Sequence, residues 1–79
     1  MKDALFFIVS SIVDDPKKIS IDEVEQDGIV QFTITVGKED MGKVIGKEGK
    51  VIRSIRNVMK IPAIKENKRI AISLAENPS

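Results

Sequence analysis

The residues with the clearest chemical use are Gly46, Lys47, Glu48 and Gly49, set between the apolar pairs Val44-Ile45 and Val51-Ile52. Two glycines around two charged residues make a tight turn, because glycine reaches positive φ and lets another backbone come close. Glu39 to Ile45 reads as a short helix ending at this turn, and Lys50 to Lys60 as a longer helix leaving it. The start of the second helix would direct free N–H groups and the positive end of its dipole over the turn. Phosphates of an anionic backbone suit such a place. Lys47 puts a cation in the turn, and Lys43, Lys50 and Arg53 lie one helical turn away on either side. Glu48 opposes them with a carboxylate inside the clamp. A plain helix–turn–helix corner would also need the glycines, but its flanks would not need this charge.

The charge balance supports the clamp. The chain of 79 residues has a net charge of only +1. Yet Met41 to Lys60 holds six basic residues against the single acid Glu48, while Asp14 to Gly28 holds six acids against Lys17 and Lys18. One basic pole on a neutral protein binds polyanions locally. For Arg56 and Lys60, farther along the helix, a solvated face is as good a reading as contact with a ligand.

Other classes are disfavoured. With no cysteine and no histidine, the chain lacks disulfides, thiolate metal sites and the usual general base. The Asp14-Asp15 pair sits at a helix end without a basic or metal-binding companion, so neither catalysis nor a metal or cofactor is expected. The apolar run Ala4 to Val9 is too short to span a bilayer. No membrane association and a cytoplasmic location are the expectations.

The elements that must position the turn follow from periodicity. Leu5, Ile8, Val9 and Ile12 make one buried stripe of a helix from Asp3 to Val13, stopped at Asp14-Asp15-Pro16. Phe6 lies off that stripe, while Phe7 and Phe32 read as core. Ile19 to Gln26 reads as a strand in which Val24 is out of phase, suggesting a bulge or an early end. Asp27-Gly28 is a hairpin turn, and Val30, Phe32, Ile34 and Val36 then alternate with polar residues. Glu39 and Asp40 read as the acidic first turn of the short helix. Pro62 and Lys65 to Lys68 read as a connection, Arg69 to Leu74 as a last strand, and residues 76–79 as a frayed tail. The result is one α+β domain over residues 1–79, in the order α-β-β-α-α-β. A mixed three-stranded sheet is expected, with three helices on one face and a solvated face bearing Gln31, Thr33, Thr35, Ala71 and Ser73.

In this order of elements, the run Val44-Ile45-Gly46-Lys47-Glu48-Gly49-Lys50-Val51-Ile52 resembles the GxxG region of a type II KH domain. The whole chain is similar to the small single-KH-domain proteins of bacteria, the KhpA family. The likeness runs from Val13-Asp14-Asp15-Pro16 through Asp40 to Lys47 and on to the last strand. It implies binding of single-stranded RNA, with the backbone of about four nucleotides clamped at the turn and the bases in an adjoining apolar groove. It also implies a homodimer, or a heterodimer with a larger KH-containing RNA-binding protein linked to cell elongation, in an RNA chaperone or regulatory role.

The residues themselves allow that groove a floor of Val44 and Ile45 and a wall at the last strand around Arg69 and Ile70. An edge strand has unpaired backbone groups that can bond base edges. With only three phenylalanines among its aromatics, the chain offers no stacking platform, so one copy should bind modestly. Val51, Ile52, Ile55, Val58, Met59 and Ile61 cover too wide an arc for one buried stripe, so Val58, Met59 and Ile61 are expected to meet a partner chain. The competing reading is an adaptor that keeps this apolar face and binds little RNA.

Overall fold

Helix α1 (Lys2–Ile12) buries Leu5 and Val9, with Ile8 and Ile12 packed beside them. Phe7 does not join the core as expected: it is 72% exposed. Two residues along a helix turn a side chain by about 200°, so Phe7 points away from the face that Leu5 buries. Phe6 is also exposed. The computed structural model describes residues 1–75, and the tail expected at 76–79 lies outside the described residues.

After a single 3-10 turn at Pro16–Lys18, β1 (Ser20–Gln26) and β2 (Ile29–Thr35) form an antiparallel hairpin. Its corner is Asp27-Gly28, both at positive φ, as a two-residue hairpin requires. The pairing runs unbroken from Ser20↔Thr35 to Gln26↔Ile29, so β1 has neither bulge nor early end. Val24 instead pairs with Gln31 and stands exposed on the open face. Val30, Phe32 and Ile34 of β2 are fully buried, as their alternation predicts.

Helix α2 (Met41–Ile45) begins two residues later than expected, because Asp40 and Met41 both donate their N–H to Gly37 O in a preceding turn. A tight turn at Lys47–Gly49, with Glu48 and Gly49 left-handed, leads into α3 (Lys50–Lys65). This helix overruns its expected end and carries Pro62 inside it. Proline removes one N–H, yet the last turn is held from beyond it. Glu66 N bonds Pro62 O, Asn67 N bonds Ile64 O at 3.0 Å, and Lys68 N bonds Ala63 O at 2.9 Å. With Asn67 in the left-handed region, this is a Schellman closure. Ala63 and Met59 are thereby kept in the buried face.

Strand β3 (Arg69–Leu74) pairs parallel with β2, from Ile29↔Arg69 to Ile34↔Leu74, giving the sheet order β1-β2-β3. The core lies between the sheet and α1, α2 and α3, joining Leu5, Val9, Val44, Ile52, Ile55 and Met59 to Phe32 and Ile72. The expected α+β architecture, with its helices on one face of a mixed three-stranded sheet, is therefore present. Among the described residues, no helix is long and apolar enough to cross a membrane.

Candidate nucleic-acid interface

The turn between α2 and α3 takes its shape from its two glycines for different reasons. Gly46 has φ 74° and ψ 175°, a region open essentially to glycine alone. A Cβ there would collide with Val51 Cγ2 and lie 2.8 Å from the Val51 backbone nitrogen. Gly49 is left-handed at φ 75° and ψ 16°, and its Cβ would meet only Ile52 Cγ2, at 4.0 Å. Space binds the first glycine and torsion the second. Glu48 is itself left-handed at φ 58° and ψ 25°. A non-glycine residue there stores roughly 1 kcal/mol or more of strain.

Arg53 stabilises this backbone from α3. Its Nη2 donates to Glu48 O at 2.6 Å, and its Nε reaches Gly49 O at 3.4 Å. Two carbonyls of the turn are thus faced by a guanidinium, which leaves the turn more electropositive towards solvent. Lys47, Glu48 and Lys50 are exposed around it.

The other residues expected at the site divide. Ile45 is partly exposed beside the turn, but Val44 is fully buried in the core and offers a base no surface. Adjacent residues of a helix point about 100° apart, so only one of the pair can face the groove. Lys43 is tied to the Asp14 carboxylate and lies 3.8 Å from Asp40 Oδ1. Its hydrogen bond to Asp14 holds its pKa above the ordinary lysine value.

Asp40, nearly buried, accepts the backbone N–H groups of Asp14 and Asp15, each at 3.1 Å. It therefore bolts the end of α1 to the start of α2 instead of serving the first turn of α2. The Asp14 N–H bond is the main reason its carboxyl titrates below the ordinary value, with Asp15 N–H and Lys43 assisting against the opposing cost of burial.

Arg69 and Ile70 do not adjoin the turn. Arg56 Nε donates to Ile72 O at 3.2 Å, and Lys60 and Ala63 line a hollow with Arg69 and Ile70. As α3 advances, its neighbours on β3 run backwards. The turn therefore lies towards Leu74, and Arg69 sits at the far end. Arg69 N donates to Gly28 O at the hairpin corner, and Ala75 N to Ile34 O of β2. By alternation, Ile70, Ile72 and Leu74 direct their backbone groups outwards along the edge. Arg56 covers one of them and spans the groove between α3 and β3, a role its spacing from Arg53 could have suggested.

On the remaining surface of α3, Val58 is 51% and Ile61 60% exposed. Ile64 is more exposed still. Met59, expected with Val58 and Ile61 at a partner interface, is fully buried. It follows Ile52 and Ile55 on the core stripe, while Val58 and Ile61 lie outside it.

Comparison with known proteins agrees with this architecture. The family pattern described as the KhpA/KhpB KH domain matches residues 2–74. The RNA-binding protein KhpA of Clostridium acetobutylicum is 42% identical over 74 residues, covering 94% of this chain and 99% of that relative. That of Clostridium perfringens is 40% identical over 74 residues, with the same coverage. The KhpA of Chlamydia caviae is 36% identical over 77 residues, covering 98% of this chain and 99% of the relative.

Proposed function

The chain belongs to the KhpA/KhpB KH-domain family, and we propose from that premise that it is a non-catalytic binder of single-stranded RNA. The phosphate backbone is clamped at Gly46-Lys47-Glu48-Gly49, and bases lie in the groove between Ile45, α3 and the β3 edge. One observation carries this reading: the turn is open at Gly49, where an added carbon would meet only Ile52 Cγ2 at 4.0 Å, beside the exposed Lys47 and Lys50. A turn with no side chain at that point leaves room for close approach by another backbone. Lys47, Lys50 and the Arg53 guanidinium behind it supply the attraction, and Glu48 moderates it.

Titration of a fluorescent, unstructured RNA oligonucleotide at two salt concentrations tests the clamp. About four neutralised phosphates give a log–log slope near −3 for a single strand. The variant Lys47→Asp, Glu48→Asp keeps both glycines. It is expected to fold like the native protein by circular dichroism and to lose at least tenfold in affinity. Salt-independent binding, or equal binding by the variant, would sink the reading.

The exposed Val58 and Ile61 support a second element of the proposal, self-association through the outer face of α3 or docking there of a larger KH protein. Two clamps in one assembly turn modest sites into a tight one by avidity. Val58→Asp with Ile61→Asp is expected to give a monomer in sedimentation equilibrium and to weaken binding to long RNA only. If that variant loses a protein partner while native protein shows no RNA binding, the adaptor reading replaces the clamp. A cytoplasmic role as an RNA chaperone or regulator fits the proposal.

A further inference from the structure

Arg53, Arg56 and Lys60 recur at the i, i+3, i+7 spacing that sets side chains in one row on a helix, and all three are exposed. The bond from Arg56 to Ile72 O lays this row along the β3 edge. The row does not end in open solvent. It runs into a hollow of about 350 Å³ lined by Lys60, Ala63, Ile64, Lys68, Arg69 and Ile70. Its lining is apolar at Ala63, Ile64 and Ile70, with cations on the rim. From Lys50 to Lys60 the helix rises about 15 Å. A phosphate at this rim is therefore not one of those beside Lys47.

We infer that this hollow is a second anchoring station for the RNA strand held at the turn. Lys60 and Arg69 each take a backbone phosphate, and the base between them lies on Ile64 and Ile70. The inference rests on the clamp reading, because only a strand already gripped at the turn is led along Arg53 and Arg56 to this end.

The local charges favour these two residues in particular. Lys68 is engaged by Glu25 at 2.7 Å, which raises its pKa, so it contributes no free charge. Lys60 and Arg69 form no ion pair among the described residues. Asp27 lines the adjoining hollow, which Ile64 and Arg69 also line, so its carboxylate disfavours a phosphate on that side of Arg69 and favours the side that faces Lys60. The negative end of the α3 dipole lies at the turn that carries Ala63 and Ile64, so the phosphates are placed outside it, on Lys60 before that turn and on Arg69 beyond it.

The test uses uridine oligonucleotides of about 4 and about 10 nucleotides, the shorter matching one KH footprint. Native protein is compared with Lys60→Gln, Arg69→Gln, with the charge-keeping Lys60→Arg, Arg69→Lys, and with the Lys47→Asp, Glu48→Asp turn variant. The glutamine variant should bind the short oligonucleotide as native protein does. On the long one it should lose about tenfold, with a salt slope shallower by about 1.4, or 0.7 for each phosphate released. The charge-keeping variant should restore both. Extra binding registers on the long strand act equally on every variant and cancel in the ratios.

Native affinity and slope for the glutamine variant on the long strand would overturn the station. If the turn variant fails to bind in that same experiment, the clamp still stands. An equal loss on both lengths would also overturn the station, since the residues would then act at the clamp itself. Failure of native protein to bind either length would remove the clamp and the station together.

Discussion

The two ends of α3 are both closed by left-handed residues, yet they are specified in opposite ways. At the start, Gly46 is fixed by a collision with Val51, Gly49 by its torsion, and Arg53 holds the carbonyls between. At the finish, Asn67 takes the left-handed position and backbone bonds close the helix around a proline. The first end has no room for a side chain at Gly46, while the second leaves Ile61 and Ile64 in solvent. A helix can thus have a rigid, close-fitting end that suits a phosphate backbone and a permissive end that leaves surface for other contacts.

Substitutions sharpen that contrast. The largest effect is expected within the permissive half, at its largest buried side chain: Met59→Ala should cost about 2–5 kcal/mol in urea unfolding. Its neighbour Val58→Ala should stay within about 0.5 kcal/mol. If the two proved equal, the division of α3 into a core face and an outer face would be wrong.

At the rigid end, Gly46→Ala should cost about 3 kcal/mol, from a glycine-only torsion and the Val51 contact together. Gly49→Ala should cost about 1 kcal/mol, from torsion alone. Similar midpoints for these two variants would break the distinction between space and torsion. Glu48→Asn should gain about 0.5 kcal/mol, since asparagine accepts the left-handed region more readily. It should also tighten RNA binding a few-fold by removing the opposing charge.

The narrowest test shows only in acid. Asp40 titrates below its ordinary 3.8 in the fold, so its contribution to stability is complete above that value. It is lost as pH falls through the lowered pKa. Asp40→Asn should therefore be less stable at neutral pH and lose less on acidification below about pH 4. Parallel acid profiles would mean that the carboxylate does not bolt α1 to α2.

Much of the fold was legible because each strand carries its own period. Val30, Phe32 and Ile34 announce β2, and Asp27-Gly28 announces the hairpin. The turn was legible because glycine at two spaced positions has few other uses. Less visible was anything set by a distant partner. The pairing of Lys43 with Asp14 and the capture of Asp14 and Asp15 by Asp40 join residues more than twenty positions apart. No local pattern signals them. Val24, Phe7 and Met59 went astray for a different reason, since apolar character does not say which face of an element is covered. The end of α3 was misplaced because Pro62 drew the boundary, although Asn67 carried the true stop signal.

The parallel pairing of β2 with β3 has a consequence during synthesis. The clamp is encoded inside the crossover between those strands, so it leaves the ribosome before the edge that completes the groove. Contacts of such sequence separation form late, because the intervening chain must first be closed into a loop. A chain arrested after Lys68 would already hold the glycine turn and Arg56 but not Ile72, the acceptor that lays Arg56 along the groove. The same truncation, prepared as a free polypeptide, is expected to leave a labelled RNA unbound. A grip on RNA would then serve as a report that β3 has joined the sheet.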